Sequence, residues 1–272
     1  QGAGGRVDAL QALIAGNTAG STQADGGSTA LANSVQVDGT VQGSSVQVAG
    51  NQGTAQASGR DGLANSVRAQ SRGRIAASSV TVTANQGSAQ QGVANSVDVG
   101  GSLQGGSITI LGNQASAQGG NSKVSGVTGS GSIRGSQILL AGNTGRATGG
   151  GLVNGVHNRG SITGAQLVLT GNQGNATGGG TVNSVDNRGQ LSGRVLIAGN
   201  RGSATLGGTV NSLVNQGVMA GTVVIAGNQG NAAVGGVSNS VINQGVITGA
   251  VTIVGNMSAA AAGMTSGSVR NV

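Results

Sequence analysis

The sequence predicts an all-β fold: a single-chain β-solenoid, or cross-β stack, of about nine rungs with a repeat of about 28 residues over residues 1–272. Three observations carry this. Asn recurs at Asn17, Asn51, Asn85, Asn113, Asn143, Asn172, Asn200, Asn228 and Asn256, at spacings of 34, 34, 28, 30, 29, 28, 28 and 28. Branched aliphatics alternate with tolerant positions just before each of these marker asparagines. Gly supplies 57 of the 272 residues while Pro, Cys, Trp, Tyr and Phe are absent, so corners are abundant and helix is disfavoured.

The unit ends in V-x-I-x-G-N. Five residues before the marker stand Val195, Val223 and Val251; three before it stand Ile197, Ile225 and Ile253. That spacing is a strand with one buried face. After the marker comes N-Q-G-x-A, whose small residue at Ala176, Ala204 and Ala232 predicts two walls in close approach. The Asn-Gly chemistry around it suits turns, because both residues tolerate left-handed backbone. The middle segment reads N-S-V-x-N-x-G-x-I-x-G, with Leu213, Val241 and Ile247 at its inward positions. Each unit is thus expected to hold two to three short strands separated by glycine corners. The first two full units, 34 residues each, should carry insertions in their corners.

One unit cannot bury its apolar row alone, but stacked units can, with identical residues in ladders about 4.8 Å apart. Asn51, Asn85, Asn113, Asn143, Asn172, Asn200, Asn228 and Asn256 are the predicted stacking ladder, and Asn and Gln ladders together would fix the register. Residues 1–17 read as a partial unit whose Ala12, Ile14 and Asn17 occupy closing-segment positions. Residues 257–272 read as the opposite part of a unit, with Val269 at the slot of Val241 and Leu213. The expectation is that these ends complete one another between subunits, giving open-ended head-to-tail growth.

The net charge is +7, from 12 Arg and one Lys against six Asp, with no Glu. It permits contact with anionic polysaccharide or DNA, and Arg159 and Arg188, in the same N-R-G slot of consecutive units, form a candidate strip. Without aromatics, base stacking is unavailable. Catalysis is not expected. His157 is the lone histidine, in a variable slot predicted to face solvent, and the scattered Asp offer no paired carboxylates. No metal site and no cofactor are predicted: there is no Cys, and Asp does not recur in phase as a calcium repeat would require. No apolar run is long enough for a membrane-spanning helix.

The Asn-Gln-Gly-x-Ala and Asn-Ser-Val rungs, with Asn228-Gln229-Gly230-Asn231-Ala232 as an example, resemble the curlin class of bacterial extracellular amyloid subunits. They are also similar to curlin-like proteins associated with holdfast attachment. The resemblance covers Asn17 to Val269 and implies a secreted, extracellular subunit. It further implies an outer-membrane secretion pore, a nucleator, and a role in biofilm matrix or surface adhesion. The function expected is a structural subunit that polymerises with itself. Two alternatives stay open: the stalk of a larger adhesin, and an ice-binding solenoid, for which only Thr81-x-Thr83 shows the required Thr spacing in the closing strand.

Overall fold

The computed structural model describes residues 6–8, 11–23, 31–37, 39–57, 63–69, 73–90, 93–118, 123–135, 137–149, 151–260 and 265–272. These form an all-β, right-through stack of parallel strands with no helix among the described residues. One turn runs through Val185–Asn187, Gln190–Ala198, Arg201–Ala204 and Thr209–Val210 before Leu213–Asn215 begins the next. We name the sheets built from successive copies of these segments D, A, B and C. A turn therefore has four walls, not two or three. The prediction fell short because the strands of sheet C are two residues long, too short to show any alternation.

Sheets B, C and D each contain nine strands. Eight complete turns separate the first and last marker asparagines, flanked by partial turns, so the complete turns number slightly fewer than nine. Every pairing between turns is parallel, and the register is residue-matched except for one shift in sheet A between Ile162 and Ala165. Val80, Ile108, Ile138, Leu167, Val195, Val223 and Val251 form one column, and Leu103, Ile133, Ile162, Leu191, Met219 and Ile247 another.

Two cores result. The larger lies between sheets A and D and contains Val195, Ile197, Leu213, Val223, Ile225 and Val241, all fully buried. Ile247, Val251 and Ile253 pack against it but stay half-buried, since their turn has a neighbour on one side only among the described residues. The smaller core lies between sheets B and C and is built from Ala and Val, including Ala147, Val153, Ala176 and Val182. The walls here are as close as the recurrent Ala predicted. A Cβ added at Gly174 would lie 2.6 Å from Val182 Cγ1. The predicted end positions fall in register: Ala12 and Ile14 pair with Val46 and Val48, and Val269 pairs with Val241 while remaining 58% exposed.

The glycine before the marker turns the chain from sheet A into sheet B in the left-handed region, as at Gly199 (φ 63) and Gly227 (φ 61). The B-to-C corner uses the same region. Gly178 (φ 86) serves one turn there, but Leu206 (φ 63) and Val234 (φ 54) serve the next two. A β-branched residue with positive φ is a steric outlier, and Val234 is 65% exposed, so no burial offsets it. Val234→Gly is expected to raise stability by about 1 kcal/mol, read as a higher denaturant midpoint. An unchanged or lower midpoint would show that the strain is relieved elsewhere. This corner also absorbs length. Gln52–Ala57 in sheet B is followed by Leu63–Ala64 in sheet C, whereas Arg201–Ala204 is followed by Thr209–Val210. The insertions predicted for the first two units fall largely on residues 24–30 and 58–62, outside the described residues.

Candidate functional site

The columns of polar side chains inside the stack are the chemically distinctive part of the molecule. The marker asparagines stand at the waist between the two cores, and Asn85, Asn113, Asn143, Asn172, Asn200 and Asn228 are fully buried. Each makes the same set of bonds. Asn200 Oδ1 accepts from the backbone N–H (3.0 Å) and Nδ2 (3.0 Å) of Asn172. Its own Nδ2 donates to Leu169 O (2.8 Å) in the preceding turn and to Asn228 Oδ1 (3.1 Å) in the following one. The pattern runs from Asn51 through Asn256, whose Nδ2 donates to Ile225 O at 2.9 Å. Asn17 stands exposed at the other end, where its backbone N–H donates to Asn51 Oδ1 at 2.9 Å and its carbonyl accepts from the Gln52 N–H at 2.8 Å. A buried amide costs free energy unless its donors and acceptors are matched, and here one side chain satisfies both directions of the stack.

A second column comes from the middle-segment asparagines, which the sequence had marked only as recurring. They sit at the C-to-D corner with φ between 47 and 52. Asn183 Nδ2 donates to Asn211 Oδ1 (3.0 Å) and across the waist to Arg201 O (2.8 Å). Beside it runs a hydroxyl column: Ser212 Oγ donates to Val210 O and accepts from the N–H of Ser240 at 3.0 Å. A third amide column, Asn158, Asn187, Asn215, Asn243 and Asn271, ends the sheet D strands with side-chain bonds of 2.7–2.8 Å. The motif N-S-V-x-N held all three. What concealed them is that Asn at a corner reads as turn chemistry until the register is known.

Glutamine ladders were expected beside the asparagine ones, but among the described residues none runs along the N-Q-G segment. Gln52, Gln86, Gln114, Gln173 and Gln229 point outward and are exposed, because they neighbour an inward asparagine on a period-2 strand. It is their backbone carbonyls that the second column uses, as at Gln86 O and Gln229 O. A glutamine pair does occur on another face, where Gln216 Nε2 donates to Gln244 Oε1 at 2.8 Å.

On the outer face of sheet D the charges pair with one another. His157 is half-buried rather than solvated. Its Nδ1 donates to Asp186 Oδ2 at 2.9 Å, and its Nε2 accepts from Arg159 Nε at 2.8 Å. Arg188 Nε lies 3.3 Å from the same carboxylate. The predicted anion between Arg159 and Arg188 is therefore supplied internally, with Asp186 and His157 threading the two arginines. Asp98 is similarly held by Arg68 (3.2 Å) and Lys123 (3.6 Å).

Burial pushes the Asp186 carboxyl up, but the hydrogen bonds and charges of His157 and Arg188 outweigh it, and its pKa lies below the ordinary value. A depressed carboxyl contributes stability above the unfolded-state value near 3.9, and that contribution disappears as pH falls through the folded-state value. Below about pH 4, melting temperature should fall faster with acidification in the native protein than in an Asp186→Asn variant. Parallel acid limbs would show that the cluster contributes nothing.

The outer face of sheet B is a shallow polar groove along the stack. Exposed Gln173, Arg201 and Gln229 form one row, and Arg146, Asn175 and Ser203 the other. Inward-facing glycines form its floor, and no acidic residue lines it. Among the described residues no group of three or more His, Cys, Asp or Glu could hold a metal ion.

The fold and its amide columns define a parallel β-solenoid with hydrogen-bonded side-chain ladders. Comparison with protein-family models, with curated proteins and with solved structures finds no match to this chain.

Proposed function

We propose that the protein is a secreted structural subunit that stacks on copies of itself into an extracellular, curli-like filament serving biofilm matrix or surface adhesion. The observation that supports this most is the sameness of the interface between turns. From Asn51 to Asn228 every marker asparagine makes the same contacts in the same direction, donating its backbone N–H and one Nδ2 hydrogen toward the following turn. Whichever turn is outermost on the late side offers amide donors, and whichever is outermost on the early side offers an Oδ1 acceptor. Uncovered strands add rows of backbone groups, and exposed Met257 and Val254 add apolar surface. A second copy placed in register finds the lattice that each internal turn already finds. Contacts of this kind between unlike ends generate open filaments.

The groove of sheet B suits a lateral ligand better than the Arg159–Arg188 strip does. Arg146 and Arg201 lie on opposite walls, no carboxylate lines them, and the nearby amides donate and accept. In this reading a linear anionic polysaccharide lies along the axis.

Cryo-electron microscopy of the purified chain tests the assembly. Filaments with layers about 4.8 Å apart and a repeat of one subunit length are expected. Discrete rods that stay monomeric at high concentration would overturn self-assembly and favour a stalk.

A further inference from the structure

The second amide column, the hydroxyl column, the column that ends the sheet D strands and the smaller core all change in one turn, that of Lys123–Gly129. In the second amide column Ser125 stands where Asn95 and Asn154 stand in the flanking turns, with the same left-handed backbone (φ 48). Its Oγ and Asn154 Oδ1 are both buried without a partner. Each other member donates Nδ2 to a sheet B carbonyl of the following turn, as Asn95 does to Gln114 O and Asn154 to Gln173 O. A serine hydroxyl is too short to repeat that bond to Thr144.

The hydroxyl column stops in the same turn. Ser96 Oγ accepts from the N–H of Gly126, which has no hydroxyl to pass on, and the column restarts at Ser184. Leu152 holds the gap open: a Cβ on Gly126 would lie 2.9 Å from Gly155 O and 3.2 Å from Leu152 Cδ2. The sheet D column is aliphatic before this turn (Val37, Ala69, Val99), Gly129 within it, and amide after it from Asn158 onward. Asn158 Oδ1 is accordingly buried and unpartnered. The smaller core divides at the same place into an Ala-only cluster (Ala55, Ala64, Ala89, Ala94) and an Ala–Val cluster (Ala147, Val153, Ala176, Val182, Ala204, Val210, Ala232).

We infer that the Lys123–Gly129 turn is a built-in joint that divides the stack into two blocks opening independently. In repeat proteins, stability is a sum of unit terms and nearest-neighbour terms, so one weak interface is enough to separate cooperative units. The marker column and the larger core pass through the joint, which keeps the axis continuous. The later block has one amide column more than the earlier one and a larger second core, so it is the more protected.

Hydrogen exchange followed by mass spectrometry on the full chain tests this. Amides in 151–256 should exchange at least about tenfold more slowly than those in 31–111, with the change falling between 118 and 143. Ser125→Asn suits the existing backbone and restores both missing donations. It should slow exchange of the earlier block at least about threefold. Conversely, the pair Asn183→Ser with Ser184→Gly copies the break into the later block and should create a second boundary there. Uniform protection in the native chain would overturn the inference. So would unchanged rates in Ser125→Asn, or the absence of a new boundary in the double variant.

Discussion

Asn200→Asp should lower the denaturant midpoint of the whole stack more than any surface substitution, by the equivalent of about 3–5 kcal/mol. The two side chains have the same shape, so packing is preserved and only hydrogen-bond polarity changes. In the native column Asn200 Nδ2 lies 2.8 Å from Leu169 O and 3.1 Å from Asn228 Oδ1. A carboxylate oxygen there would face two acceptors with nothing to donate, in a fully buried site. An ionised carboxylate without a cation is among the costliest things to bury, and a protonated one has one hydrogen where the amide had two. The control is Asn175→Asp, on the exposed face of sheet B, where a change within about 0.5 kcal/mol is expected. Chemical denaturation followed by circular dichroism separates them. Equal midpoints for the two variants would mean that the amide columns decorate the stack without stabilising it.

Gly189→Ala should be at least as damaging, for a steric reason. An added Cβ would sit 2.0 Å from Gly160 O and 2.8 Å from Arg159 C, both backbone atoms of the turn beneath. The same approach recurs at Gly160, Gly217 and Gly245, so the corner into sheet A repeats as a column of glycines. Backbone cannot step aside as a side-chain tip can without breaking the ladder around it. A loss of about 3 kcal/mol or more is expected. Gly199→Ala isolates the other reason for glycine. Nothing lies within 4 Å of its added Cβ, but φ is +63, so only the left-handed penalty of about 1 kcal/mol applies. Thermal melts of the two variants should rank in that order, and a reversed ranking would show that the turns can shift apart.

The period and the larger core were legible in the sequence because both are repeated at fixed distance from the marker asparagine. Val195, Ile197, Val223 and Ile225 could be placed inward from alternation alone. Sheet C was not legible, since a pair such as Thr209–Val210 has no period to detect. The second and third amide columns were visible as letters but not as bonds, because Asn183 and Asn211 neighbour one another only after 28 residues of chain close a turn. The charged face hid for the same reason. Asp186 lies beside Arg188 along the chain, but His157 reaches it from the turn beneath. The outward Gln173 and Gln229 show the opposite error, where composition suggested a ladder but Arg201 stands between them in register.

The corner between sheets B and C, where turn length varies without disturbing the register on either side, makes the molecule a scaffold with a free variable. Residues can be added there while the side-chain columns on both sides keep their partners, as the turn after Gln52–Ala57 already demonstrates. Peptides grafted at this one corner in successive turns would project from one edge of a rod at intervals of about 4.8 Å. The spacing would be set by the backbone, leaving their composition free to vary by evolution or design.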